Sequence, residues 1–111
     1  MSADYTALAL MDRDDGVRRL GGNQGLYNIL LKKFTAQNNL ETLDAALAEN
    51  NLAEAAASAH TVKGLAANLS LPRLQAVAAE LEQALKGGAK DDELLTVFRT
   101  VYTDTLAAVA E

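Results

Sequence analysis

A single histidine, His60, is the residue best suited to chemistry in this chain, which contains no cysteine. An imidazole can act as a nucleophile or exchange protons near neutral pH. On a helix, the positions that contact His60 lie three and four residues away along the chain, and position 67 lies one turn further on the same side. They hold very small side chains and one cation: Ala56, Ala57, Lys63, Gly64 and Ala67. The pattern predicts an imidazole on a bare helical surface that another protein can reach.

Gly64 is the most informative of these neighbours. A glycine inside a helix is less stable than alanine by about 0.5 to 1 kcal/mol. The chain uses alanine freely wherever a small helical residue is wanted, so Gly64 indicates a position where even a methyl group is unwelcome. Close approach by a partner backbone would explain it, and so would close packing by a neighbouring helix. Both explanations remain open from the spacing alone.

Several kinds of site are excluded by what the sequence lacks. One histidine and no cysteine cannot form a conventional zinc site, and no nucleophile elbow is present. Gly21, Gly22 and Gly25 precede a helix without a preceding strand or a following Lys-Ser/Thr pair, so they indicate a turn. The acidic run at 12–15 lacks the other ligands of a calcium loop. We therefore expect neither a metal nor a cofactor on this chain.

Composition identifies the elements that must position His60. Alanine and leucine supply 41 of the 111 residues, whereas valine and isoleucine together supply 7, which favours helices over strands. The net charge is −5 with scattered basic residues, so nucleic acid is a poor partner. No apolar run approaches the roughly 18 residues of a membrane span, and the first residues lack a signal-peptide pattern. We expect a cytoplasmic protein without membrane insertion.

Turn and cap signals predict an all-α fold of one domain, residues 1–111. Four helices near 23–37, 52–69, 72–86 and 91–109 form an antiparallel four-helix bundle, with two additional short helices near 4–20 and 39–49. Asn23 can cap the first long helix. Two capping boxes are predicted, in which Asn38 pairs with Glu41 and Asn51 with Glu54.

The apolar positions predict which helix faces are buried. The first long helix buries Leu26, Ile29, Leu30 and Phe34. The short helix after it buries Leu40, Leu43 and Leu47. The His60 helix has a narrow stripe of Leu52, Ala55, Ala56, Ala59, Val62, Ala66 and Leu69. The last two helices bury Leu74, Ala78, Leu81 and Leu85, then Leu95, Phe98, Tyr102, Leu106 and Val109. His60 lies one step off its stripe and should project toward solvent.

The segment around His60 resembles the signature of histidine-containing phosphotransfer (HPt) domains. The resemblance rests on residues 60–69, followed by Leu74 and by the pair Leu81-Glu82. The stretches at 16–23, 26–27 and 30–31, with Phe34, are similar to the first helices of that family. Altogether it covers roughly residues 12–106. His-x-x-Lys-Gly is a short motif, but it is quite specific within a helical bundle of this length.

The resemblance implies a role for each residue of the site. His60 would be the phosphoaccepting residue, Lys63 would lie beside the phosphoryl group, and Gly64 would leave room for the partner. Glu82 would hydrogen-bond the imidazole, as an acid does there in some members. Ala56, Ala57 and Ala67 would belong to the partner surface. One departure is Ser70, where members often have glycine, and we expect it to change a turn without loss of chemistry.

The function implied is that of a relay intermediate, with phosphoryl groups passing between His60 and an aspartate of a response-regulator receiver domain. The partners would be such a receiver, a hybrid histidine kinase, or both, and Mg²⁺ would reside on the receiver. The chain itself is expected to be a monomer. It is not expected to be an enzyme, because it shows no metal-binding carboxylate cluster, general base or nucleotide loop. The alternative is a helical adaptor or inhibitory docking module that binds receivers without being phosphorylated.

Overall fold

The computed structural model describes residues 5–37 and 39–110, and over these ranges the fold is all-α, as predicted. A 3-10 turn at Tyr5–Ala7 precedes six α-helices. The helices are α1 (Arg13–Arg19), α2 (Gln24–Ala36), α3 (Asn39–Ala48), α4 (Leu52–Leu69), α5 (Pro72–Lys86) and α6 (Asp92–Ala110). The short helical segment predicted near 4–20 corresponds to the turn and α1, and its first residue lies outside the described residues.

Polar side chains begin the helices largely where the sequence places them. The Asn23 side chain accepts a hydrogen bond from the Leu26 amide, and Asn51 accepts one from Glu54. The second bond of this capping box, from the Asn51 backbone amide to the Glu54 carboxylate, was predicted wrongly. The Asn51 amide donates instead to the Ala46 carbonyl. That bond closes the C-terminal turn of α3, so one short loop both ends α3 and starts α4. The other predicted capping box begins at residue 38, outside the described residues.

Helix α4 is the central element and packs most extensively on α5. Only Ser70 and Leu71 connect the two helices, so they run antiparallel. Helix α6 packs on α5, while α2 contacts α4 and α6. The start of α2 lies at the end of α4, where the Tyr27 hydroxyl donates to the Leu69 carbonyl at 2.7 Å. Because α3 ends beside the start of α4, α2 and α3 together line its length.

The buried face of α2 differs from the predicted one. Tyr27, Leu31 and Phe34 are buried and Leu30 is half-buried, whereas Leu26 and Ile29 are exposed. Positions 27, 31 and 34 have the same three- and four-residue spacing as 26, 30 and 34, so periodicity permits both faces. The buried bond of the Tyr27 hydroxyl to α4 selects the rotation that points tyrosine inward.

The other helices bury the apolar residues that the sequence indicated. In α4 the predicted alanines, Val62 and Leu69 are buried, and Leu52 is half-buried. The four predicted positions of α5 are all buried, whereas α6 buries Leu95, Phe98 and Tyr102 and half-buries Leu106 and Val109. The small residues of α4 let the α5 backbone approach closely. This contact is the one that brings α5 side chains beside His60.

Ser70 ends α4 in a left-handed backbone conformation, with φ at +55°. Its hydroxyl donates to Asp15 Oδ2 at 2.6 Å, and its carbonyl accepts from the Asp12 amide at 2.8 Å. The serine hydroxyl, followed by the Arg19 guanidinium, lowers the pKa of Asp15 below its usual value. Serine therefore replaces the conformational freedom of glycine here with a side-chain bond that fastens α1 to the end of α4.

Candidate functional site

His60 lies on the solvent side of α4, and 65% of its side chain is exposed. Its neighbours on the helix differ in accessibility. Ala57 and Gly64 are exposed and Ala67 is half-buried, so these three flank an accessible ring. Ala56 is only 4% exposed, and its assignment to the partner surface stays a prediction. Ala56 belongs to the buried stripe of α4, and it also lines an open groove between α4 and α5.

Gly64 has open space around it. A Cβ atom built on this residue would meet no atom of the described chain within 4 Å, apart from its own helical neighbourhood. Close packing by a neighbouring helix therefore does not explain the glycine. Of the two explanations left open by the sequence, room for an approaching partner is the one that the geometry supports.

The carboxylate of Glu82 reaches His60 from α5. Glu82 Oε2 lies 3.0 Å from His60 Nδ1, and Glu82 Oε1 lies 2.7 Å from Lys63 Nζ. A third partner is Lys86, whose Nζ is 2.9 Å from Oε2. Only 1% of the Glu82 side chain is exposed. The structure thus brings together His60, Lys63 and Glu82 as the sequence predicts, and it adds Lys86.

The charge of Glu82 determines how the imidazole is held. Hydrogen bonds from Lys63 and then Lys86 lower the pKa of Glu82 from 4.5 to about 2, against the opposing effect of desolvation. The group is therefore an ionised carboxylate at neutral pH and can only accept hydrogen bonds. It follows that His60 Nδ1 carries the hydrogen in this contact. In the neutral ring the lone pair then resides on Nε2, and nucleophilic attack can start only from that atom.

An open groove of about 790 Å³ runs beside the exposed imidazole, between α4 and α5. The α4 side is formed by Leu52, Ala53, Ala56, Ala57, His60 and Thr61, and the α5 side by Glu82, Leu85, Lys86 and the following Gly88. The groove is mostly apolar away from the charged cluster. A protein surface with a small apolar projection could enter it and reach His60.

Lys86 belongs to the charged cluster beside His60 and was not predicted from the sequence. The signal was present, because Glu82 and Lys86 are four residues apart on a predicted helix and a glutamate preceding a lysine at that spacing favours an ion pair. What the sequence did not reveal is that Glu82 points across to α4, which brings its lysine partner to the histidine. The described residues contain no group of three or more histidine, cysteine, aspartate or glutamate side chains arranged to hold a metal ion.

Comparison with known protein families gives one match. The family model of the Hpt domain matches residues 33–111, which include His60, Glu82 and the two lysines that contact Glu82. The chain belongs to the Hpt domain family. Searches of curated proteins and of solved structures gave no significant match. Hpt domains are helical phosphotransfer modules of two-component phosphorelays, in which they interact with receiver domains and kinases.

The match begins inside α2 of this Hpt domain. The likeness of residues 12–32 to the first helices of the family therefore remains a prediction. Within the part of the chain that the structure describes, no helix has both the length and the apolar character needed to cross a membrane.

Proposed function

We propose that His60 accepts a phosphoryl group on Nε2 from the phosphorylated aspartate of a receiver domain and passes it on to such an aspartate. The observation that carries the proposal is the contact of Nδ1 with the ionised Glu82 carboxylate, which leaves Nε2 of an exposed ring as the nucleophile. Membership of the Hpt family supports the same assignment. His60 is the only histidine in the chain, so it is also the only candidate for a phosphohistidine.

The transfer needs no proton to leave the ring. The Nε2 lone pair attacks phosphorus, an N–P bond forms, and the P–O bond of the aspartyl phosphate breaks as its carboxylate departs. Nδ1 keeps its hydrogen, so positive charge develops on the imidazole during attack. The buried carboxylate of Glu82 is already placed to stabilise that charge. In the reverse direction, the protonated ring is a good leaving group and the aspartate carboxylate is the nucleophile.

The remaining chemistry would belong to the partner. The acceptor carboxylate and the Mg²⁺ ion that neutralises phosphoryl charge are expected on the receiver domain, not on this chain. Gly64 and Ala57 leave the surface around His60 free of bulk, which suits close approach of a receiver active site. In this proposal the chain is a substrate of its partners, and its side chains orient and activate Nε2 of His60.

The proposal is tested by incubating the chain with receiver domains carrying labelled aspartyl phosphate. We expect one acid-labile phosphoryl group per chain, lost completely in His60→Gln. Thr103→Ala is the matched control, because Thr103 is exposed on α6 and does not line the groove beside His60, and it should be labelled like the wild type. Absence of label on the wild type with every receiver would refute the proposal. If His60→Gln then still bound a receiver as tightly as the wild type, the chain would be an adaptor.

A second experiment uses the space at Gly64. Gly64→Trp would place a large ring beside His60, on a position where the added Cβ has open space. We expect slower phosphoryl transfer with nearly unchanged helicity by circular dichroism. A small phosphoryl donor, which needs no docking surface, should label this variant as well as the wild type. If the transfer rate fell equally with the receiver and with the small donor, the explanation of Gly64 as room for a docked partner would be contradicted.

A further inference from the structure

The two lysines that contact Glu82 are held differently. Lys63 alone occupies Oε1, at 2.7 Å, and 32% of its side chain is exposed. Lys86 shares Oε2 with His60 Nδ1, at 2.9 Å, and 58% of its side chain is exposed. If Lys63 left, the buried Oε1 would lose its ion-pair partner. If Lys86 left, both oxygens of the carboxylate would keep one partner each. Lys86 is therefore the lysine that can be released at the smaller loss of stability.

Lys86 is also better placed than Lys63 to reach a phosphoryl group on His60. Lys86 lines the groove beside the exposed imidazole, whereas Lys63 is not among the residues that line it. A phosphoryl group on Nε2 extends from the ring on the side away from Nδ1 and Glu82. A lysine reaches a phosphoryl oxygen as a flexible point charge, and Lys86 has the freer side chain. Its start on α5 places it across the groove from His60.

We propose that Lys86, and not Lys63, is the cation that pairs with the phosphoryl group on His60, a proposal that rests on the proposed function. On phosphorylation Lys86 leaves the shared Glu82 oxygen, which then serves the protonated Nδ1 alone, and its ammonium pairs with phosphoryl oxygens. Lys63 stays on Oε1 and acts as a positioning residue for Glu82. This assigns to Lys86 the place that the family resemblance assigned to Lys63.

The test measures the titration of the phosphoryl group itself by ³¹P NMR. The chain is phosphorylated with phosphoramidate, whose P–N bond breaks as ammonia leaves and the Nε2–P bond forms, so no partner protein is needed. A nearby cation favours the dianionic phosphoryl group. In Lys86→Met we expect the titration midpoint to rise by about 0.5 to 1 pH unit, from a charge lost at ion-pair distance near the surface. In Lys63→Met the rise should be less than half as large.

Two variants make the measurement decisive. Lys90→Met removes the same charge from an exposed position beyond α5 and should leave the midpoint near that of the wild type. Lys86→Arg should restore most of the wild-type midpoint, which a purely structural role would not require. The proposal is overturned if Lys86→Met matches Lys90→Met, or if Lys63→Met gives the larger shift. Should Lys63→Met fail to fold, the three variants at positions 86 and 90 still decide. A wild type without any ³¹P signal on His60 would instead remove the proposed function, and this inference with it.

Discussion

Replacing Glu82 with glutamine should destabilise the protein in a manner that depends on pH. The lysine hydrogen bonds lower the pKa of Glu82 from 4.5 to about 2 in the folded state. A depressed carboxyl pKa contributes stability that is fully present above about pH 4.5 and is lost as the pH falls toward 2. A shift of this size corresponds to about 3.5 kcal/mol at roughly 1.4 kcal/mol per pKa unit. Water around the exposed Lys86 screens part of it, so we expect a loss of about 2 kcal/mol at neutral pH.

The assay is urea unfolding followed by far-ultraviolet circular dichroism at several pH values. The difference in free energy of unfolding between wild type and Glu82→Gln should be largest near neutral pH and shrink through the window from 4.5 to about 2. Glu80→Gln is the matched control, because Glu80 is an exposed carboxylate on the same helix, and its effect should be small throughout. A difference that stays constant with pH, or a glutamine variant as stable as the wild type, would refute the reasoning about the charged cluster.

Three glycine and serine positions give further predictions. Gly64→Ala should raise the free energy of unfolding by about 0.5 to 1 kcal/mol in a urea titration, because nothing surrounds the added methyl group. Gly16→Ala should lower it by about 1 to 3 kcal/mol, since the new Cβ would overlap the Tyr27 ring. Ser70→Ala should lower the Tm by differential scanning calorimetry, because it loses the bond to Asp15 and keeps the left-handed backbone. The Tm of Ser70→Gly should lie between those of Ser70→Ala and the wild type. If Ser70→Gly were less stable than Ser70→Ala, backbone strain at position 70 would be unimportant.

Much of the fold was predictable because the helices are marked by strong local signals. Asn23, Asn51 and Pro72 stand at helix starts, and the alanine-rich composition favours helix throughout. The α2 face was not predictable in the same way. Two stripes one residue apart satisfy the same spacing, and a long-range bond from Tyr27 to Leu69 decides between them. Local sequence carries no record of a partner forty-two residues away.

The site shows the same division between local and long-range information. His60, Lys63 and Gly64 lie within one turn and a half, so their arrangement follows from helix geometry alone. Glu82 was found only through the family resemblance. Lys86 was missed, because its importance depends on where the Glu82 side chain points.

The contacts at the end of α4 set a boundary for engineering. The carbonyls of Leu69 and Ser70 accept hydrogen bonds from Tyr27 and Asp12, residues that precede the matched region at 33–111. A chimera built by transplanting only that region into another signalling protein would leave both acceptors without these donors and expose the face on which Tyr27 packs. The smallest segment that can be moved as a working relay cassette therefore starts before Asp12, some twenty residues earlier than family similarity alone would suggest.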